Sequence, residues 1–326
     1  GGQMKLRDVA LDDKYTLEQG QIFVSGIQAL VRLPMLQSQK DQAIGLNTAG
    51  FVTGYRGSPL GGLDQQLFLA QEHLTRERVK FVPAVNEDLG ATAVWGTQQA
   101  NLGGDGLYDG VFAMWYAKGP GVDRSGDAIR HGNLAGTSPN GGVLLLLGDD
   151  HACESSTTAH QSEYSLVNAM VPVLNPAGVQ DILDYGLYGW SLSRYSGCWV
   201  GLKCVHDTVE ASASVSVSVD RIQTEVPEDF ILPSGGVHIR WPDGFLEQEE
   251  RLHRYKLEAV KAFARTNRID RQIMGDSDAH TGIVTTGKSY LDVRRALLEL
   301  NIDEIRAKTL GLKLYKVGMS WPLEPN

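Results

Sequence analysis

Cysteine is scarce in this chain: three thiols, Cys153, Cys198 and Cys204, in 326 residues. They are too few and too irregularly spaced for a disulfide framework. No Cys-x-x-Cys occurs, and an iron–sulfur cluster takes four thiolates, so none is expected to be held by this chain. The thiols read as reduced, in or near the core of a cytoplasmic protein. Long apolar runs are missing as well. Runs such as residues 143–147 fall far short of the roughly 20 residues that a membrane helix needs. Residues 1–20 lack the apolar stretch of a signal peptide. Basic clusters are absent and the formal net charge is −9, which argues against nucleic acid and anionic membrane as partners. Gly1-Gly2-Gln3 ahead of Met4 reads as a cloning remnant.

What is present is an alternation of strand and helix patterns, with 42% hydrophobic residues to bury. Apolar segments at 50–53, 79–82, 111–116, 143–147, 171–174 and 199–205 are rich in β-branched and aromatic residues and alternate little. That pattern suits strands of a mostly parallel sheet, covered on both faces. Helices are expected at 20–36, 63–77, 88–101 and 177–195. The stretch 118–140 reads as a long glycine-rich loop, of the kind more often functional than decorative. Residues 211–219 read as a half-exposed strand. The breakers Pro227, Pro233, Gly235 and Gly236 then mark a linker, and 245–265 is a charged amphipathic helix. A new unit follows: strand 282–286, expected to be central in its sheet, helix 289–300, strand 313–317. The division expected is a doubly wound α/β domain over 1–230, a linker and helix over 231–275, and the start of a second α/β domain over 276–326. One βαβ unit cannot bury both faces of its own sheet, so the chain is expected to be the front portion of something longer.

Three stretches carry chemistry. Residues 79–82 lead through Pro83-Ala84-Val85-Asn86 to Glu87, with a helix-forming segment directly behind. Residues 50–53 lead to Gly54-Tyr55-Arg56-Gly57-Ser58-Pro59, where glycines and Ser-Pro let the backbone turn sharply and approach a ligand. Both strand ends belong on one edge of a parallel sheet, the edge where such sheets bind ligands. The third stretch, Gly148-Asp149-Asp150-His151 with Ser155-Ser156, follows the run 143–147. His151 is a candidate acid, base or hydrogen-bond donor there, since histidine titrates near working pH. A glutamate at a helix start is equally a partner of the helix dipole. Metal binding by His151, Cys153, His160 and Glu163 matches no zinc spacing, and no metal site is assigned. Residues 282–289, Gly-Ile-Val-Thr-Thr-Gly-Lys-Ser, satisfy the P-loop expression. Here, however, the apolar strand lies inside the motif rather than before it, so Lys288 is not expected to bind nucleotide.

In the wording of Gly54-Tyr55-Arg56-Gly57-Ser58-Pro59 and Asn86-Glu87-Asp88-Leu89-Gly90-Ala91, the chain resembles the indolepyruvate branch of the 2-oxoacid:ferredoxin oxidoreductases. The resemblance runs from about residue 15 to 326. It implies the pyrimidine-binding domain of a thiamine-diphosphate enzyme, followed by the start of a transketolase-C-like domain, which opens with a strand like 282–287. It implies that Glu87 bonds the pyrimidine ring of the cofactor, with Thr53, Gly54 and Gly57 beside it. Ser58 takes the place of the family's hydroxyl that contacts the substrate carboxylate. Arg56 replaces a more usual proline and adds a cation for a carboxylate. Glu87, Ser58 and His151 are the catalytic candidates. The activity implied is oxidative decarboxylation of an aryl- or indolepyruvate-type 2-oxoacid, with CoA as acyl acceptor and ferredoxin as electron acceptor. Magnesium and the diphosphate belong to a partner domain, and the iron–sulfur cluster lies outside this chain; a homo-oligomer is implied. Gly104-Asp105-Gly106 with Asn133 fits the spacing of the magnesium motif but lies in the wrong local structure. This chain alone is expected to hold half a site and be inert. A non-redox thiamine-dependent decarboxylase or transketolase-like enzyme, a nucleotide-binding module centred on Lys288, and a non-catalytic assembly domain are the other readings.

Overall fold

The computed structural model describes residues 8–326; the cloning-remnant reading of residues 1–3 lies outside them. Its strands are β1 (Gly20–Ser25), β2 (Thr48–Gly54), β3 (Val79–Phe81), β4 (Gly110–Lys118), β5 (Val143–Asp149), β6 (Val173–Leu174), β7 (Val200–Val205), β8 (Ser212–Val217), β9 (Arg271–Met274), β10 (Thr281–Thr286), β11 (Leu312–Val317) and β12 (Met319–Trp321). Seven form one sheet in the order β12-β6-β7-β5-β4-β2-β3, parallel except for β12. All six apolar segments expected as its strands are found there.

Continuous apolar runs follow from burial on both faces. In β5, Leu144 and Leu146 enter one core with Trp190 and Leu33, while Val143, Leu145 and Leu147 enter another with Val94 and Trp199. The first core lies under helices Gly26–Ala43 and Val179–Ser196, the second under Glu87–Gln98 and Gly126–Ala135. Helix Gly26–Ala43 starts sharply because Ser25 and Gln28 form a reciprocal capping box.

Several expectations are corrected. Residues 20–25 are strand β1, not the first turns of a helix; they pair antiparallel with β8, which satisfies both backbones in a two-stranded ribbon. Stretch 118–140 is not a loop: it holds helices Gly119–Arg124 and Gly126–Ala135. The amphipathic helix is present as Phe245–Arg251 and Leu257–Thr266, joined by a π-helical turn at Leu252–Lys256. The small sheet has the order β10-β11-β9, so residues 282–286 form an outer strand, not a central one. Its β9 starts at Arg271, inside the expected linker, and β12 returns to pair with β6 of the large sheet. The small sheet buries Met274, Leu297, Ala307 and Leu314 in its own core. No helix is long and apolar enough to cross a membrane among the described residues.

Candidate active site at the carboxyl edge of the large sheet

The parallel strands of the large sheet all end on one edge, which gathers Gly54, Phe81, Lys118 and Asp149. At β2, Thr53 is buried and Gly54 lies opposite Tyr116 of β4. A Cβ on Gly54 would lie 2.3 Å from the Tyr116 carbonyl oxygen, so only glycine allows this approach. Burial and a hydrogen bond to Asp64 push the Tyr116 phenol far up. Gly57 lies under the Lys118 side chain, where a Cβ would meet Cδ at 2.7 Å. Ser58 is half-buried and joined to Pro59 by a cis peptide bond. Arg56 is exposed and has no ion pair among the described residues.

The chain beyond β3 stays pinned to β2: Val82 N donates to Val52 O at 2.9 Å and Ala84 N to Gly54 O at 3.0 Å. Asn86 then caps a helix by accepting from Leu89 N at 2.9 Å. Glu87 is the first residue of that helix and only 7% exposed. Trp115 Nε1 donates to its backbone oxygen at 3.0 Å. The carboxylate accepts no hydrogen bond from the described residues. Its nearest cation is Arg124, with Nη1 at 3.9 Å and a side chain 59% exposed. Gly121 gives the carboxylate room: a Cβ there would lie 2.6 Å from Glu87 Cγ. Glu87 and Gly57 therefore both abut the stretch 118–121 that continues β4.

At β5 the sheet edge holds a charged network. Asp149 is buried and accepts from Ser162 N at 2.9 Å and Ser162 Oγ at 2.6 Å, with Lys203 Nζ 3.5 Å away. Burial pushes its pKa up against those bonds. Lys203 also pairs with Glu163. Asp150 accepts from Glu154 N and Ser155 N at 2.9 and 3.0 Å, and the Ser155 and Glu154 amides hold it below the usual carboxylate range. His151 is exposed and lies apart from this network. The histidine inside it is His160: Nε2 lies 2.9 Å from Asp123 Oδ2, and the ring fills the open face of Gly119. Sequence reasoning weighed His160 only as a metal ligand, because its partner lies 37 residues away. His151, Cys153, His160 and Glu163 do not converge, since Cys153 donates to Ser156 O and Glu163 pairs with Lys203.

The two decoy motifs have other occupations. The Asn133 side chain donates to Ala169 O and Met170 O and accepts from Trp199 N. Residues 281–286 pair in register with 312–317 as strand, and Lys288 pairs with Asp292 at 2.9 Å. A cavity of about 640 Å³ beside Asp184 and Arg221 and one of about 790 Å³ beside Phe51 and Val79 open elsewhere; neither is lined by Glu87 or Ser58.

The fold is shared with a protein of known structure. The chain is similar to a 2-oxoglutarate:ferredoxin oxidoreductase from Magnetococcus marinus, solved with 2-oxoglutarate, coenzyme A and succinyl-CoA bound. The TM-score is 0.66 at 17% identity, over 93% of this chain and 54% of that one. Residues 271–326, from β9 onward, match the indolepyruvate oxidoreductase domain model. Indolepyruvate oxidoreductase subunit IorA of Pyrococcus abyssi is 24% identical over 94% of this chain and 44% of its own length. That of Archaeoglobus fulgidus is 26% identical over 60% and 30%. These relatives cover most of the chain at about a quarter identity, and the family model covers its last 56 residues. It spans less than half the length of the curated relatives it matches.

Proposed function

We propose that this chain supplies the pyrimidine side of a thiamine-diphosphate site in a 2-oxoacid:ferredoxin oxidoreductase acting on an aryl- or indolepyruvate-type substrate. The observation that carries this reading is the Glu87 carboxylate, buried at a sheet edge yet without a hydrogen bond to the described residues. A buried carboxylate normally has partners, so one left open beside a cradle at Gly121 fits a ligand that brings its own N–H. Thiamine diphosphate, when bound, would supply the nucleophilic carbon chemistry that 2-oxoacid decarboxylation needs. Glu87 would hold the pyrimidine ring through one charge-assisted bond from its carboxylate. Thr53, Gly54 and Gly57 let the backbone approach the ring, and Trp115 fixes the helix start from beneath. Ser58 donates to the substrate carboxylate, and Arg56 supplies a cation at the mouth of the site.

The rest of the reaction belongs to partners: a diphosphate- and magnesium-binding domain, an iron–sulfur carrier, CoA as acyl acceptor and ferredoxin as electron acceptor. Asp149 and Lys203 already satisfy each other's charge, and His151 is exposed, so the β5 loop contributes shape and an imidazole to the rim. The test is 2-oxoacid-dependent reduction of ferredoxin by the complete enzyme, comparing wild type with Glu87→Gln over a panel of indolepyruvate, phenylpyruvate, pyruvate and 2-oxoglutarate. Loss of turnover in Glu87→Gln, with the aryl substrates preferred by wild type, is the expected result. Wild-type turnover in the variant removes the cofactor role, and a preference for 2-oxoglutarate removes the substrate class.

A further inference from the structure

Helix Gly119–Arg124 is only six residues long and sits between two titratable side chains. On one side the Glu87 side chain packs on Gly121, and Arg124 approaches its carboxylate at 3.9 Å. On the other side Asp123 is held twice by the segment after β5: Oδ1 accepts from Ser165 Oγ at 2.8 Å, and Oδ2 lies 2.9 Å from His160 Nε2. The His160 ring occupies the space that a side chain at Gly119 would need, with Nδ1 1.9 Å from the position of the missing Cβ. His160 is itself anchored to the sheet, because its backbone N donates to Asp150 O at 3.0 Å. Its Nδ1 is buried without a hydrogen bond, 3.9 Å from Asp149 Oδ1. The bond to Asp123 is therefore the one directional contact that the ring makes among the described residues.

We infer that His160 is a positioning residue for Glu87: it ties the helix Gly119–Arg124 to the end of β5, and that helix sets the Glu87 carboxylate through Gly121 and Arg124. The inference rests on the cofactor role proposed for Glu87 and adds the residue that fixes its geometry. Without the His160 bond, Asp123 keeps only Ser165 Oγ as a tie to the segment after β5, and the buried Val122 anchors the helix to the core without fixing the rotation that sets Gly121 and Arg124. A shift of about 1 Å in a group that orients a reactant costs about a hundredfold in rate.

Two substitutions separate the bond from the volume. His160→Phe fills the space over Gly119 but cannot bond Asp123. His160→Gln places an amide N–H near the position of Nε2. Amide hydrogen exchange on this chain should show residues 121–125 exchanging at least about tenfold faster in His160→Phe, with β4 and the helix Val179–Ser196 unchanged, and close to wild type in His160→Gln. In the complete enzyme His160→Phe should lower kcat about a hundredfold with KM for the 2-oxoacid nearly unchanged, and His160→Gln should recover most of it. Unchanged exchange at 121–125 in His160→Phe overturns the inference, as does a Gln variant as defective as Phe in both measurements. If His160→Phe loosens 121–125 while Glu87→Gln keeps full turnover, the tie to Asp123 stands and the cofactor reading of Glu87 falls.

Discussion

Two strand-to-helix junctions in this chain place glycine next to a cation and a serine, and they have opposite character. After β2, Gly54 and Gly57 are glycines because neighbours crowd them: Tyr116 O lies 2.3 Å and Lys118 Cδ 2.7 Å from where their Cβ atoms would be. The next strand over delivers a buried, unbonded carboxylate at Glu87 to the same edge. After β10, Gly287 serves a turn. Its φ is +58°, and the Asn175 side chain, not a ligand, fills the space beside it. Thr285 and Thr286 give their hydroxyls to Tyr315 O and Val317 O, and Lys288 is 44% exposed beside Asp292. The motif at the second junction is the better match to a written pattern, yet residues 281–286 are held extended against β11 and do not form a loop. A ligand site of this kind needs a buried polar group left open, and of the two regions the sheet edge at β2 and β3 has one in Glu87.

The sharpest way to break this contrast is Glu87→Gln in the complete enzyme. Removing the charge while keeping the shape should cut turnover by about 10²–10⁴-fold, the range for a positioned acid–base group. Stability should fall by less than about 1 kcal/mol, the worth of an acidic side chain in a first helical turn. Steady-state rates with thermal unfolding of the same preparations check both halves. Unchanged turnover would make the two junctions equivalent.

The sheet strands were legible because each is an apolar run long enough for a buried parallel strand, and their observed bounds differ from the expected ones by a few residues. The helices at Gly119–Arg124 and Gly126–Ala135 were not, because their glycines read as flexibility. In fact Gly121 makes room for Glu87, and Gly132 for the Trp199 ring, whose Cζ2 lies 2.2 Å from the position of the missing Cβ. Close packing and looseness call for the same residue, and sequence alone does not distinguish them. Strand β1 was hidden for a different reason: its partner β8 lies about 190 residues away, as in the pair Ile22 and Val215, so no local period reports it. Within the site, Glu87 and the glycines around Ser58 stood out through order along the chain. His160 did not, because its importance lies in Asp123 and Gly119, which only the folded sheet brings to it.

The two regions are joined by a helix whose Lys256 is fully buried and donates to Asn133 O at 2.6 Å. Burial lowers its pKa from 10.5 to about 8. Between those values the unfolded chain holds the proton and the folded chain releases it. The unfolded state then binds more protons, so stability rises with pH across roughly 8 to 10.5. Below pH 8 both states are charged and the folded one carries the full cost, about 3 kcal/mol for a gap of this size. Urea unfolding of wild type against Lys256→Met from pH 7 to 10.5 should show this rise in wild type and lose it in the variant. Parallel profiles would mean that Lys256 is neutralised by a neighbour instead.

Gly121→Ala tests the first junction without touching a charge. The new Cβ would lie 2.6 Å from Glu87 Cγ, inside any van der Waals contact, so the carboxylate must move. Turnover of the complete enzyme should fall by about a hundredfold, with the large sheet intact by circular dichroism. The same substitution at Gly126, which has nothing within 4 Å of its would-be Cβ, should leave activity unchanged and provides the control.

The smallest effect is expected at the second junction. Lys288 lies on the surface as the first residue of a 12-residue helix and pairs with Asp292 four residues on. The helix start can attract an anion weakly through free amides, but a nucleotide site also needs a loop of amides wrapped around two phosphates. Here that span is a strand whose bonds to β11 run from Thr281 to Thr286. Titration with magnesium ATP should show no saturable binding up to about 1 mM, a binding free energy of only about 4 kcal/mol. Lys288→Ala should leave both that result and the melting temperature unchanged. Saturable binding lost in Lys288→Ala would mean that β10 peels from β11 to form a loop, and the contrast between the two junctions would then lie in dynamics rather than in which polar groups the fold leaves open.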